Sequence, residues 1–325
     1  MKKRIALLYL LACALLPWGA KAERLPTDST VHDDKAKSSL FALPPPQTRF
    51  HNVTMTTRSI GIGGILLGDT YLTPLSYGGT HFSFVSQSLH RGYKRQRESS
   101  LARGSLFAYT PRILDSKWLH HTLFSLGYAR TLNPAGNANI HTLELSYSRS
   151  LLRQVAYGTW GELFAGGALA GRAEGLYSTR NGNNPGTIHA SVGLNAAVLY
   201  SFRFGNDRFP ILAKLYAETR LAGAMFSQEF GESYYELYYF SPIGRRIHFA
   251  HPLNAPSLRA VAGFDLPILD YCTLHLGYHL SLERQMINHL RYYRSTHSLL
   301  VGFTTTALPL GGRRMARSSQ PPLPL

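Results

Sequence analysis

Residues 186–204 read Gly-Thr-Ile-His-Ala-Ser-Val-Gly-Leu-Asn-Ala-Ala-Val-Leu-Tyr-Ser-Phe-Arg-Phe, with an apolar residue at every even position from Ile188 to Phe204. His189, Ser191, Asn195, Ser201 and Arg203 fall on the odd positions. A period of two is the mark of a strand with one greasy and one polar face. Strands of soluble domains average about 5–6 residues, and a tilted strand crossing a bilayer needs roughly 9–11. This run exceeds both, so any sheet containing it is tall and two-faced.

The same period recurs along the chain. Over 140–152, Leu143, Leu145, Tyr147 and Leu151 oppose Thr142, Glu144, Ser146, Ser148 and Ser150. Over 209–221, Phe209, Ile211, Ala213, Leu215, Ala217 and Leu221 oppose Lys214, Tyr216, Glu218 and Arg220. Over 273–285, Leu274, Leu276, Tyr278, Leu280 and Leu282 oppose Thr273, His275, His279, Ser281, Glu283 and Gln285. A soluble barrel or sandwich would bury the apolar face, and a transmembrane barrel turns it outward. Alternation does not choose between them. Strand length, the lack of helical segments to cover a sheet, and aromatics near strand ends (Tyr200, Phe202, Phe204) favour the transmembrane arrangement.

The start of the chain agrees with that reading. Met1-Lys2-Lys3-Arg4, an apolar run from Ile5 to Trp18, and Ala20-Lys21-Ala22 form the pattern of a secretory signal peptide over 1–22. Leu10-Leu11-Ala12-Cys13 loosely resembles a lipobox, but the residues after Cys13 stay apolar to Trp18. Of the two cysteines only Cys272 would then remain, which excludes an internal disulfide and a cysteine metal site. Neither a metal nor another cofactor is expected. The net charge of +16 falls to +12 once Lys2, Lys3, Arg4 and Lys21 are removed. A secreted basic chain meets lipid phosphates before nucleic acid, so lipid and lipopolysaccharide head groups are the expected partners. Past the leader, no apolar run approaches the ~18 residues of a membrane helix.

Residues 23–54, with Asp33-Asp34-Lys35 and Pro44-Pro45-Pro46, are expected as a flexible periplasmic segment. Residues 308–325, with Arg313-Arg314 and Pro321-Pro322, are expected as a disordered basic, Pro-rich tail. Between them, 55–307 is expected to form an all-β, antiparallel up-and-down barrel. Its strands are placed at 57–67, 79–92, 117–131, 139–152, 159–178, 187–204, 209–226, 257–268, 272–287 and 296–307. Short periplasmic links near 155–158, 205–208 and 269–271 alternate with longer external ones at 68–78, 133–138, 179–186, 227–255 and 288–295, as bacterial barrels require. The stretch 93–116 resists assignment, because Leu101–Thr110 also looks strand-like; two strands there would raise the count from ten to twelve. Arg91, Lys94, Arg95 and Arg97 would lie at a periplasmic turn.

The loop sequences are more particular. Leu67-Gly-Asp-Thr-Tyr-Leu-Thr-Pro-Leu-Ser-Tyr-Gly-Gly-Thr80, Asn133-Pro-Ala-Gly-Asn137, Leu176-Tyr-Ser-Thr-Arg-Asn-Gly-Asn-Asn-Pro185, Gly223-Ala-Met-Phe-Ser227, Glu232-Ser-Tyr-Tyr-Glu236 and Ala255-Pro-Ser-Leu-Arg259 together resemble an uncharacterised family of Bacteroidetes outer-membrane barrels, domain of unknown function 3316. The resemblance runs from Arg58 to Thr306. It implies an outer-membrane location and a barrel architecture, and carries no catalytic residue. The chain departs from that pattern in the longer 93–116 stretch. It also continues past Phe303 to Leu325, where barrels commonly end on an aromatic residue read by the barrel assembly machinery.

Three constellations could carry chemistry. His-x-Ser on a strand places both side chains on one face, about 7 Å apart, as a nucleophile and base would need. His81-Phe82-Ser83, His189-Ala190-Ser191 and His279-Leu280-Ser281 all qualify, and 14 histidines make such pairs common by chance. His279, Ser281 and Glu283 share one polar face and form the best set for a lipid or lipopolysaccharide hydrolase. A hydrogen-bonded lumen is the plainer reading. Glu144, Glu162, Arg172, Glu174, Arg203, Lys214, Glu218, Arg220 and Glu283 are expected inward, where a bore of about ten strands is close to the size that side chains fill. A stabilising ionic plug is favoured over a conduction path. In the long loop, Tyr234, Tyr235, Tyr238 and Tyr239 surround Glu229, Glu232 and Glu236, a composition suited to contact with an unidentified external ligand. The sequence therefore reads as a monomeric, non-enzymatic surface-contact or structural barrel. A hydrolase and a narrow channel for small or apolar solutes stand as alternatives.

Overall fold

In a computed structural model of the chain, the described residues are 52–92, 118–182, 184–206, 209–229, 236, 239, 246–269 and 272–307. Eleven strands are formed: β1 (Asn52–Asp69), β2 (Ser76–Gly92), β3 (Trp118–Leu132), β4 (Asn139–Gly158), β5 (Gly161–Ser178), β6 (Gly186–Asn206), β7 (Phe209–Phe226), β8 (Ile247–Ala250), β9 (Ser257–Leu269), β10 (Cys272–Ile287) and β11 (Leu290–Ala307). Successive strands pair antiparallel, β9 takes the place beside β7, and β1 pairs with β11, so ten strands close a ring. Closure leaves the ten ring strands without a first or last edge, and so satisfies the backbone within the wall as hydrocarbon demands.

The faces lie as the alternation anticipates. Leu145, Val192 and Leu276 are 47%, 53% and 40% exposed on the outside, whereas Lys214 and Glu218 are 8% and 3% exposed on the inside. An uncovered band of Ile, Leu, Val and Phe circles the wall, the inverse of a soluble barrel. Aromatics gather at the end where β1 starts and β11 ends. There Trp160 stacks on Tyr200, Phe202 on Phe204, and Phe204 meets Phe264 edge-on.

Several boundaries move. β1 begins at Asn52, inside the segment expected to be flexible; the expectations for 1–51 and 308–325 lie outside the described residues. The β4–β5 link is 159–160 rather than 155–158. β2 pairs directly with β3 from Gly78↔Leu132 to Arg91↔Leu119, so the ring has ten strands, not twelve, and the unassigned stretch 93–116 lies outside the described residues. The expected external loop at 288–295 is a two-residue turn. Asn288 and His289 both have positive φ, 53° and 60°. A tight hairpin turn needs that conformation at both central positions, because it matches the twist of the flanking strands.

The lumen is layered rather than uniformly polar. Leu89, Leu119, Leu152, Leu199, Leu212 and Leu300 pack together inside the barrel. Ile65, Leu67, Tyr77, Ile140, Leu176 and Tyr292 form a second cluster toward the loop end. The long connection after β7 starts by folding inward. Ser227 N donates to Arg246 O at 3.0 Å, and Thr187 Oγ1 to Gln228 Oε1 at 2.5 Å.

Leu126 lies outward near the middle of β3. Leu126→Arg is expected to destabilise the barrel in vesicles by about 2–4 kcal/mol, read from equilibrium unfolding. A cost near zero would mean that the outer face meets water.

Candidate functional site

Every acidic residue on the described strands points inward; all but Asp69 pair with a lysine or arginine, and Asp69 faces His189. The reason is solvation. A carboxylate turned toward lipid has nothing to replace its water, whereas one in the lumen meets basic groups from the opposite wall.

The largest cluster joins β4, β5, β10 and β11. Arg172 on β5 has Nε 3.2 Å from Glu144 Oε1 and Nη2 2.5 Å from Glu174 Oε2, and it reaches across the bore to pair with Glu283 on β10. Arg294 on β11 pairs with Glu144 on β4, and its Nε lies 3.4 Å from Glu174 Oε1. Tyr292 donates its hydroxyl to Glu174 and accepts from Arg172 Nη2 at 3.1 Å. Arg220 on β7 approaches Glu283 Oε1 at 3.5 Å and donates to Ser191 Oγ at 2.9 Å. Its Nη1 donates to the Ala255 carbonyl at 3.1 Å, in the irregular stretch between β8 and β9.

Two further groups extend the lattice toward the chain-termini end. Glu218 accepts from Arg259 Nε at 2.6 Å and from Tyr216 Oη at 2.7 Å, while Arg259 Nη1 donates to Ser146 Oγ at 2.5 Å. Lys214 Nζ lies 2.6 Å from Asp265 Oδ2 and donates to Thr57 Oγ1 at 3.2 Å; Asp265 Oδ1 accepts from Thr304 Oγ1 at 2.9 Å and lies 2.7 Å from His275 Nδ1. At the loop end His189 Nε2 sits 2.9 Å from Asp69 Oδ2, with its ring stacked on Tyr292. Five carboxyl side chains (Glu144, Glu174, Glu218, Asp265, Glu283) thus face five basic ones (Arg172, Lys214, Arg220, Arg259, Arg294) in one interior.

The structure brings together Glu144, Arg172, Glu174, Lys214, Glu218, Arg220 and Glu283, the residues expected in the lumen. Glu162 pairs with Arg91 at 3.1 Å, which places Arg91 on the β2 wall rather than in a turn. Arg203 keeps inward parity but lies opposite Leu212, away from the central cluster. Sequence reasoning misses Arg294, Arg259, Asp265 and Asp69. Arg294 is lost to the supposed loop at 288–295. Its signal is the alternation Tyr292, Arg294, Thr296, Ser298 following a left-handed Asn-His pair.

His279, Ser281 and Glu283 all lie buried on the inner face of β10. No hydrogen bond links Ser281 to His279, and His279 has neither ring nitrogen bonded. Glu283 is committed to Arg172, Arg220 and the Gln285 amide. The set lacks the bonded geometry that nucleophile activation requires. His81 instead meets Ser298 over the inner face of β1, at 3.0 Å. Among the described residues no group of three His, Cys, Asp or Glu is placed to hold a metal. Tyr239 is exposed; Tyr234, Tyr235 and Tyr238 lie outside the described residues.

The cavity bounded by Glu144, Arg172, Glu218 and Arg220 is about 50 Å³, and two further interior voids are about 10 Å³ each. One water needs about 10–15 Å³, so the first of these holds a few waters.

Removing one member of such a lattice strands its partners. Arg294→Met is expected to cost about 3–5 kcal/mol of unfolding free energy. Adding Glu144→Gln should restore part of it, with a coupling of about 0.5–3 kcal/mol. Additive effects of the two changes in denaturant titrations would show that the pair is not coupled.

None of the curated proteins matches the sequence. Among solved structures, the chain is similar to the outer membrane protease OmpT from Escherichia coli at 7% identity, covering 79% of this chain and 97% of that one, with a TM-score of 0.44. It is also similar to the translocator domain of the autotransporter NalP from Neisseria meningitidis at 11% identity, covering 78% and 88%, with a TM-score of 0.35. The TodX monoaromatic hydrocarbon channel aligns at 9% identity over 80% of this chain and 91% of that chain, with a TM-score of 0.22. Likenesses this distant transfer no residue roles. The family model described as protein of unknown function (DUF3316) matches residues 8–314, and the chain belongs to that family.

Proposed function

We propose that the protein is a non-conducting, non-enzymatic barrel of the Gram-negative outer membrane that serves as a structural or surface-contact element. The observation that carries this reading is the filled lumen, where arginine–glutamate pairs bridge opposite walls and the central cavity has room for a few waters. Supporting it are the apolar outer face, the leader-like start, and short links at 159–160 and 207–208 on the side of the chain termini, the periplasmic side of such barrels. The long connection between β7 and β9 then belongs to the outer side, and its Tyr-rich sequence supplies contact area for a partner. A hydrolytic role draws no support from the β10 set, whose histidine is unbonded and whose carboxylate is engaged elsewhere.

Planar-bilayer recording tests this reading. The purified full-length barrel is expected to insert without unitary current steps. Discrete, ion-selective steps from the wild-type protein would replace the plug with a conduction path.

A further inference from the structure

The outer wall has one feature that a uniform lipid-facing surface does not need. At the loop end, across β3 to β6, an apolar groove of about 570 Å³ is lined by Tyr128, His141, Leu143, Gly175, Tyr177 and Ile188. That volume lies within the range of small-ligand sites, roughly 300–1,000 Å³. Its floor is low because Gly175 faces outward, and a Cβ built there meets nothing within 4 Å. Tyr128 and His141 are joined by a 2.9 Å hydrogen bond with their rings stacked, which holds both at the groove wall.

Cationic groups stand at the outer end of the groove, while the acidic Glu229 follows the lining residue Gln228 after β7. Arg130 is exposed and directly opposite His141 in the β3–β4 register, and Arg180 is exposed two residues beyond the end of β5. The acids of the described strands are all committed to the lumen, so none of them offsets these cations. An apolar trough capped by cationic groups at its outer end fits a ligand with a hydrocarbon tail and an anionic head.

We propose that the groove is a binding site for a phosphorylated glycolipid of the outer leaflet, with an acyl chain along Leu143, Gly175 and Ile188 and a phosphate at Arg130, His141 and Arg180. The proposal rests on the outer-membrane reading above, because the groove lies at the end opposite the chain termini. Charge complementarity names the anionic lipid, and that position selects the leaflet.

The test is native mass spectrometry of the full chain extracted from outer membranes in mild detergent, followed by titration with lipid A or phosphatidylglycerol vesicles. Four proteins are compared: wild type, Gly175→Leu, the double variant Arg130→Ala/His141→Gln, and Arg58→Ala, an outward arginine toward the chain-termini end of the wall. Wild type and Arg58→Ala are expected to retain lipid A. The groove-filling and charge-removing variants should retain it about tenfold less, while heat-modifiable gel mobility shows all four folded. Equal retention by all four, or equal binding of phosphatidylglycerol, overturns the site and leaves the membrane assignment standing. Recovery of the wild type in the soluble fraction overturns both.

Discussion

Turning a greasy face outward around a closed sheet leaves charged side chains one place to go. A ring of ten strands has an interior close to the size that side chains fill, so those charges sit within reach of one another. The rest of the architecture follows from how they pair. Arg172 crosses from β5 to Glu283 on β10, Arg294 from β11 to Glu144 on β4, and Arg259 from β9 to Ser146 on β4. These contacts tie strands far apart around the wall, which neighbouring backbone ladders do not. Burying so many ions is costly. The cost is offset only when each charge has both a counter-ion and further hydrogen bonds, as Glu174 does with Arg172, Arg294 and Tyr292.

The same sorting shapes the outside. With carboxylates held in the lumen, the exposed strand charges Arg58, Arg130, Arg149, Arg153 and Arg291 are all basic. The positive charge of these arginines therefore lies on the outer face of the wall rather than in the lumen. The small residues on the outer face of β5, Gly171, Ala173 and Gly175, open the relief that the basic residues at the loop end overhang. Lumen and lipid surface are two outcomes of one partition of charge.

Much of this was legible in the sequence because the strand period couples each residue to a face. Once Leu145 is outside, Glu144 is inside, and the strands around residues 145, 194, 215 and 276 could be oriented from alternation alone. Failures came where that coupling was broken or masked. The Asn288-His289 turn carries no glycine, so its sequence reads as a loop and hides Arg294. Around 118–124, His120 and His121 stand side by side and Leu119 and Leu123 point inward, so residue polarity misstates the face and the apolar layer of the lumen was not foreseen. The cross-bore pairing could not be read at all, since register across the interior depends on shear and closure rather than local sequence. The His279–Ser281–Glu283 set shows the opposite limit: correct placement on one face does not decide which neighbour each group bonds.

The account stands on which face of the wall meets lipid. The most direct measurement is spin-label accessibility along β4 in reconstituted vesicles, with labels placed singly at 142, 143, 145, 146, 147 and 148. Labels at 143, 145 and 147 should show high exposure to lipid-dissolved oxygen, and those at 142, 146 and 148 should be shielded from oxygen and from polar relaxation agents alike. Shielding at the odd positions with water access at the even ones would contradict it.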